Sequence, residues 1–402
     1  MRDMNASSRN HGLDTLRALA IMLVFANHYM SFVSHEATFG WFSEIGWAGV
    51  DLFFALSGYL IGNQIFAGMR AGPAQGGFSL WRFYARRLLR TLPAYYVVLA
   101  MYAFWPYWAG SLPHAPWWKY LTFTLNFDLK PGTLFSHAWS LCVEEQFYLL
   151  LPPASLAIGA VAAGARSAGA AGDAPQRRRR IALALGWAAL AAAVVAGMWL
   201  RGSWWQPSMD LGERGSRSYY ILIYYSTLSR FDELLAGVAL ALLRNFHPAV
   251  WQRLTRHGNW MLAAGAALTA VVFWLLLEYH FSWAMSVFGY PLLGLAFAVL
   301  LLAALGEGSL LQRTRIPGMG AIAIWSYSIY LTHKQLCILL AEYWAPDEAL
   351  SIALMIAASI LAGWLLYFVV EAPFMKVRER FVPSNSKRRP HEAIVGSVAA
   401  AP

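Results

Sequence analysis

Ten apolar stretches, each close to the length that crosses a bilayer as one helix, follow one another along this 402-residue chain. They run over roughly residues 13–35, 44–67, 83–108, 138–164, 180–200, 218–243, 260–279, 284–305, 319–341 and 350–372. Inside hydrocarbon every backbone N–H and C=O must find its partner within the protein, so a spanning chain is a helix or part of a closed barrel. Unbroken apolar runs, in a sequence 58% hydrophobic and 13% charged, select the helix. The expectation is an all-α, polytopic membrane bundle of about ten transmembrane helices. Residues 1–375 read as one membrane domain and 376–402 as a basic, disordered tail. The first segment lacks a small-x-small cleavage site after Phe25-Ala26-Asn27-His28 and reads as an uncleaved helix. Cys142 and Cys337 fall within spans and read as packed thiols.

The connecting segments orient the bundle. Counted with the N-terminus inside, the inner segments hold Arg2, Arg9, Arg70, the Arg82–Arg90 cluster, Arg166, Arg177–Arg180, Arg244, Arg253, Arg256, Arg313, Arg315 and the basic run from Lys376 onward. The outer segments hold Lys119, Lys130, Arg201, Arg214 and Arg217. Cationic residues concentrate on the cytoplasmic side of membrane proteins, so both termini are expected inside. The same bias accounts for the net charge of +10 without nucleic acid as a partner. Ser167–Arg180 reads as a flexible cytoplasmic loop, and 109–137 as the longest outer connection. Trp117, Trp118 and Tyr120 in that connection read as an interfacial belt in preference to a sugar platform.

A charged side chain at the middle of a membrane helix costs on the order of 2.5–3.5 kcal/mol on insertion scales. This chain places His28, Asp51, Glu144, Glu145, Arg230, Asp232, Glu233 and His333 at depth. Counting about 1.5 Å per residue from the span ends puts His28, Asp51, Glu144, Glu145 and His333 in one layer of the outer half. Such a layer is the pattern of an active site. Its bland alternative is a set of buried polar contacts between helices. Arg17 and His28 add a second constraint. Eleven residues apart, they return to nearly the same helix face, separated by about 16 Å along the axis. Arg82, Arg86 and Arg90 share one face of the third span, with Arg87 adjacent, at the cytoplasmic surface. Guanidinium groups grip phosphates in pairs, so these arginines and Arg17 read as an anion-binding mouth, the alternative being a lipid-phosphate anchor.

Several strings in order resemble the acyltransferase-3 family of membrane acyltransferases. They are Gly12-Leu13-Asp14-Thr15-Leu16-Arg17-Ala18 with Asn27-His28, Gly49-Val50-Asp51-Leu52-Phe53-Phe54-Ala55-Leu56-Ser57-Gly58, and Arg82–Arg90 running into Pro93-Ala94-Tyr95-Tyr96. His137-Ala138-Trp139-Ser140-Leu141-Cys142-Val143-Glu144-Glu145-Gln146-Phe147-Tyr148 follows, then Arg230-Phe231-Asp232-Glu233, Ser326-Tyr327-Ser328-Ile329-Tyr330-Leu331-Thr332-His333 and Glu371-Ala372-Pro373-Phe374. The resemblance implies O-acylation of carbohydrate at the bacterial inner membrane from cytoplasmic acyl-CoA. It also implies functional roles for the Arg17/His28 pair, the Phe53–Gly58 string and the third-span arginines. Some relatives carry a C-terminal hydrolase-like domain that passes the acyl group on. This sequence stops about 30 residues after Glu371, so a separate periplasmic relay protein would have to supply such a step.

The resulting expectation is an O-acetyltransferase with acetyl-CoA as co-substrate, no permanently bound cofactor and no metal site. CoA phosphates would lie on Arg17, Arg86, Arg87 and Arg90, with the thioester near His28 as general base. Glu144 or Glu145, only one of which can face His28, would orient the ring. His333 or an arginine would meet the oxyanion. Asp51, Ser57, Asp232 and Glu233 read as substrate contacts or structural support, with Ser57 beside Gly58 suited to close packing. Glu371 reads as a partner for a third-span arginine. Buried carboxylates and histidines also suit a proton-coupled transporter, the rival class. Against that stand the absence of an internal repeat and of paired interrupted helices. The acceptor (polysaccharide, lipopolysaccharide, peptidoglycan or lipid-linked sugar) is not readable.

Overall fold

The computed structural model describes residues 10–71, 77–164, 174–210 and 217–385. Arg2, Arg9, Arg166, Arg214, residues 167–173 of the expected loop and residues 386–402 of the tail lie outside them. The helices are α1 (His11–Tyr29), α2 (Ala48–Ala71), α3 (Leu80–Phe104), α4 (Trp139–Gly164), α5 (Ala174–Trp204), α6 (Asp232–Phe246), α7 (Gly258–Tyr279), α8 (Tyr290–Leu305), α9 (Met319–Leu340), α10 (Ala349–Leu366) and α11 (Ala372–Phe381). Helices α1 to α10 fall on the ten expected spans in order.

Among the described residues seven helices are long and apolar enough to cross a membrane, eight if α6 and the following Pro248–Arg256, bent by 111°, count together. Helix α3 is not one of the seven because its first turns carry Arg82, Arg86, Arg87 and Arg90. Helix α9, polar along Ser326–Gln335, is not among them either. Helix α9 is largely buried over Ser326–Gln335, whereas α3 buries one face and exposes Trp81, Leu88, Val97 and Phe104. Membrane topology thus rests on more than hydropathy here, and the protein is a multi-pass membrane protein.

The sixth span differs from expectation. Residues 218–243 do not form one helix. A π-helical turn at Tyr220–Tyr224 and a short turn at Thr227–Ser229 precede α6. The break turns the Arg230 side chain into the core, where its guanidinium bonds the Tyr224 carbonyl at 3.0 Å. Ring faces around it come from Tyr224 of this run and from Phe54, Trp139 and Tyr290 of other helices.

Local chemistry sets the helix ends that matter. The Asn10 side chain accepts the Leu13 N–H at 3.0 Å and caps α1. A wide π-helical turn, Met30–Ser34, follows α1 and ends at His35, whose φ is 57°. Helices α2 and α6 cross in close contact through reciprocal glycines: a Cβ on Gly58 would stand 2.0 Å from the Leu234 carbonyl oxygen, and one on Gly237 2.2 Å from that of Ala55. Helix α1 packs against α2 and α9, which places its polar face toward α9. Cys142 and Cys337 are buried free thiols.

Candidate active site

His28, at the end of α1, meets His333 on α9. Its Nδ1 lies 2.9 Å from His333 Nε2, and the two rings are parallel to within 4°. His333 Nδ1 lies 2.9 Å from the Ile329 carbonyl oxygen and 3.1 Å from that of Tyr330. A carbonyl only accepts, so His333 Nδ1 carries the hydrogen. A neutral His333 then offers a lone pair at Nε2, and His28 must donate to it from Nδ1. His28 Nε2 is left with a free lone pair, the form a general base requires. His137, in the turn before α4, stands edge-on to His28 with ring centroids 5.8 Å apart. Lys334 is buried next to His333 on α9. It donates to Ser136 Oγ at 3.0 Å and lies 3.6 Å above the Phe32 ring. His28 and His137 line a cavity of about 440 Å³ with Asn27, Trp47, Trp139 and Tyr225.

A second cavity, of about 270 Å³, lies on the other side of Val50, a residue that lines both. Its walls include Arg17, Ser57, Arg87, Arg90, Glu144, Glu145, Tyr148 and Tyr330. Glu144 is held from both sides: Ser57 Oγ donates to Oε1 at 2.9 Å and the Tyr148 hydroxyl to Oε2 at 3.0 Å. The Arg87 guanidinium stacks 3.9 Å from the Tyr148 ring centroid. Below, a cavity of about 310 Å³ is lined by Asn63, Gln64, Arg86, Arg87, Arg90 and Arg378. Arg17, Arg87 and Arg90 thus line the cavity of about 270 Å³ together with Glu144 and Glu145, and Arg87 and Arg90 also line the one below, with Arg86. Arg86 there bonds Glu379 at 2.6 Å and the Val382 carbonyl at 2.5 Å, both from α11 and its end. Arg90 lies 3.6 Å from the buried Glu371.

A family model described as an acyltransferase domain, that of acyltransferase-3, matches residues 10–368. The chain belongs to the acyltransferase-3 family. It is 26% identical over 393 residues to the peptidoglycan O-acetyltransferase OatA of Listeria monocytogenes, a match covering 90% of this chain and 55% of that protein. It is 29% identical over 251 residues to the putative peptidoglycan O-acetyltransferase YrhL of Bacillus subtilis, covering 58% of this chain and 33% of that one. A putative O-acetyltransferase of Staphylococcus aureus is 31% identical over 158 residues, covering 35% and 24%. The chain thus spans about half the length, or less, of these curated relatives. No solved structure matches.

In this acyltransferase-3 family member the expected polar layer separates into three nests. His28 and His333 come together as their depth suggested. Glu144 and Glu145 do not reach them: no hydrogen bond joins either to His28, and both line the arginine cavity. The reason is the rise of α4. The chain enters the histidine layer with His137, and Glu144 lies seven residues on, about 10 Å along the axis. His333 cannot meet an oxyanion as expected, because its two ring nitrogens are engaged.

Asp51 pairs with Arg230, and both side chains are fully buried. Arg201, expected in an outer loop, is fully buried instead. Helix α5 continues to Trp204, and Arg201 reaches Asp232 through two bonds of 2.5 and 3.1 Å. Glu233 is buried beside them. Arg230 and Asp232 are thus each neutralised by a partner on another helix, Asp51 on α2 and Arg201 on α5, and not by one another. Ser57 is a hydrogen-bond donor to Glu144, and it is Gly58, with Gly237 opposite, that makes the close helix contact. Tyr120 is buried, its hydroxyl donating to the Leu134 carbonyl at 2.9 Å, so it braces the outer connection from within. Trp118 is the exposed member of that aromatic set.

His137 and Lys334 were not singled out by sequence. Lys334 was open to the rule applied to the others, since a lysine inside an apolar span carries the same insertion cost. His137 sits at a span boundary, where depth counting gives no signal. Among the described residues no three His, Cys, Asp or Glu are grouped to hold a metal ion.

Proposed function

We propose that this enzyme is an O-acetyltransferase that moves an acetyl group from acetyl-CoA, bound at the arginine surface, to a hydroxyl of a cell-envelope carbohydrate bound in the histidine cavity. The observation that carries the reading is the pair of cavities that share Val50 in their walls, one lined by Arg17, Arg87 and Arg90 and the other by His28, His137 and aromatic rings. The CoA phosphates pair with Arg17, Arg86, Arg87 and Arg90. The pantetheine arm follows α1 toward His28, over the roughly 16 Å that eleven helical residues span. Trp47, Trp139 and Tyr225 offer flat apolar faces for sugar rings. The names of the relatives make peptidoglycan the leading acceptor class.

In the transfer, His28 Nε2 takes the proton of the acceptor hydroxyl as its oxygen attacks the thioester carbonyl carbon. The tetrahedral intermediate collapses with cleavage of the C–S bond. The proton returns from His28 to the thiolate, leaving an O-acetyl ester and CoA-SH. His333 fixes the His28 tautomer and ring direction, the part that a carboxylate plays in a triad. The sidedness follows the cationic bias: the arginine surface faces the cytoplasm of a bacterial inner membrane, and the histidine cavity opens outward. A separate periplasmic relay protein would take part where the final acceptor cannot reach this cavity.

The test is turnover of radiolabelled acetyl-CoA by purified protein in nanodiscs, with wild type beside His28→Ala. Wild type is expected to release CoA and label a chitooligosaccharide acceptor, and the folded variant to do neither. Turnover that survives the substitution removes His28 from the centre. Transport of a solute with no consumption of donor would establish the rival class.

A further inference from the structure

The proposed reaction places negative charge on the thioester oxygen, and the histidine pair provides no donor for it. His28 Nδ1 is spent on His333, and its Nε2 is the base. His333 is spent on His28 and on backbone carbonyls. Near His28 the remaining ring is His137, edge-on at 5.8 Å, only 3% exposed, and with no hydrogen bond at either ring nitrogen. The backbone at Tyr330 and Leu331 lies near this ring but outside hydrogen-bond geometry. A buried polar group without a partner is costly, on the order of 1–3 kcal/mol, so one that persists in a cavity wall points to a missing ligand.

The surroundings hold this ring with unusual firmness. Phe135, two residues earlier, has φ at 52°, a left-handed conformation that a bulky side chain adopts only under tertiary constraint. Its buried ring stacks on Tyr95 and Tyr102. The Tyr330 hydroxyl donates to the His137 carbonyl at 2.5 Å. Lys334 grips Ser136 Oγ from behind, which sets a buried amine beside the place where charge would develop. Asn27 in this cavity is engaged elsewhere, its Nδ2 donating to the Ser43 carbonyl at 3.0 Å. His280 also lines the cavity with an unpartnered Nε2, but its ring packs on Trp47 and Tyr219 rather than on His28.

We infer that His137 is a second catalytic histidine, donating a ring N–H to the acyl oxygen as His28 drives the hydroxyl onto the carbonyl carbon, with Lys334 and Phe135 holding it in place. The inference rests on the acyl-transfer reading and adds the oxyanion donor to it. No proton leaves His137 in the step. It donates a hydrogen bond while the C–O bond forms, and the bond relaxes when the C–S bond breaks.

The experiment compares wild type, His137→Phe and His137→Gln in nanodiscs, with acetyl-CoA and a chitooligosaccharide as probes and kcat and KM measured separately. Loss of one oxyanion donor typically lowers kcat by about 100- to 1,000-fold. That fall is expected for the Phe variant, with both KM values within about threefold of wild type and with partial recovery in Gln, which keeps an N–H donor. If the Phe variant does not insert, His137→Met carries the same comparison. An unchanged kcat, a rise in KM alone, or a Gln variant no better than Phe overturns the inference while leaving the acyl-transfer reading intact. Wild-type protein that consumes no acetyl-CoA overturns both.

Discussion

Asp51 and Arg230 show how one residue pair decides the fate of a charge in this bundle. Both side chains are fully buried, and the guanidinium also lies 4.5 Å from the Tyr224 ring centroid and 4.3 Å from that of Tyr290. Removing one partner of a buried pair leaves the other uncompensated, at a cost of about 3–5 kcal/mol. Asp51→Ala is therefore expected to lower the unfolding midpoint of detergent-solubilised protein sharply, and Asp51→Ala/Arg230→Met to restore much of it. A double variant no more stable than the single one would contradict this. His333 offers the corresponding catalytic test. His333→Phe removes the acceptor that fixes the His28 tautomer, and kcat is expected to fall by 100-fold or more with acetyl-CoA KM unchanged. At this scale the sequence was only half legible. The insertion cost of charges picked out His28, Asp51 and His333, but depth along a helix says nothing of rotation about it. Asp51 points to Arg230, in the break before α6, and His28 to His333 of α9.

Helices locate the arginines and the histidines by how closely they approach. The α2/α6 crossing admits no Cβ at Gly58, because the obstacle is the Leu234 backbone, which cannot swing aside as a side chain would. Gly58→Ala is expected to destabilise by at least the 1–3 kcal/mol typical of overpacking, or to abolish the folded species on size exclusion. Gly159→Ala, where the nearest atom is Met69 Cε at 3.8 Å, is expected to be silent. Helix α11 sets a different constraint. Glu379 occupies the Arg86 guanidinium that the donor phosphates would use. Glu379→Gln removes that competing charge, so KM for acetyl-CoA is expected to fall severalfold. A rise would mean that Glu379 positions Arg86 instead. Each of the ten apolar stretches overlaps one of α1 to α10, and seven of these helices among the described residues are long and apolar enough to cross a membrane. The break before α6 was not legible, because Tyr220–Tyr225 is as apolar as a helix interior. Its π-helical turn answers to Arg230, whose partner lies 179 residues away in sequence.

Across the whole molecule, α1 links two chambers of opposite character. Arg17 stands in the wall of one and His28 in the wall of the other, and Val50 of α2 closes both. The eleven-residue spacing made this link visible from sequence. What sequence could not show was the division of labour. Seven residues separate His137 from Glu144, so the carboxylates line the arginine cavity, and His28 meets a second histidine where a carboxylate was expected. The central claim is that donor and acceptor enter from opposite faces and meet at His28. The most direct measurement uses proteoliposomes of known orientation, with radiolabelled acetyl-CoA confined to one face and a chitooligosaccharide to the other. Labelled acceptor is expected only when acetyl-CoA is on the arginine face and the acceptor on the histidine face, and not with His28→Ala. Equal labelling with both reagents on the arginine face would contradict the account.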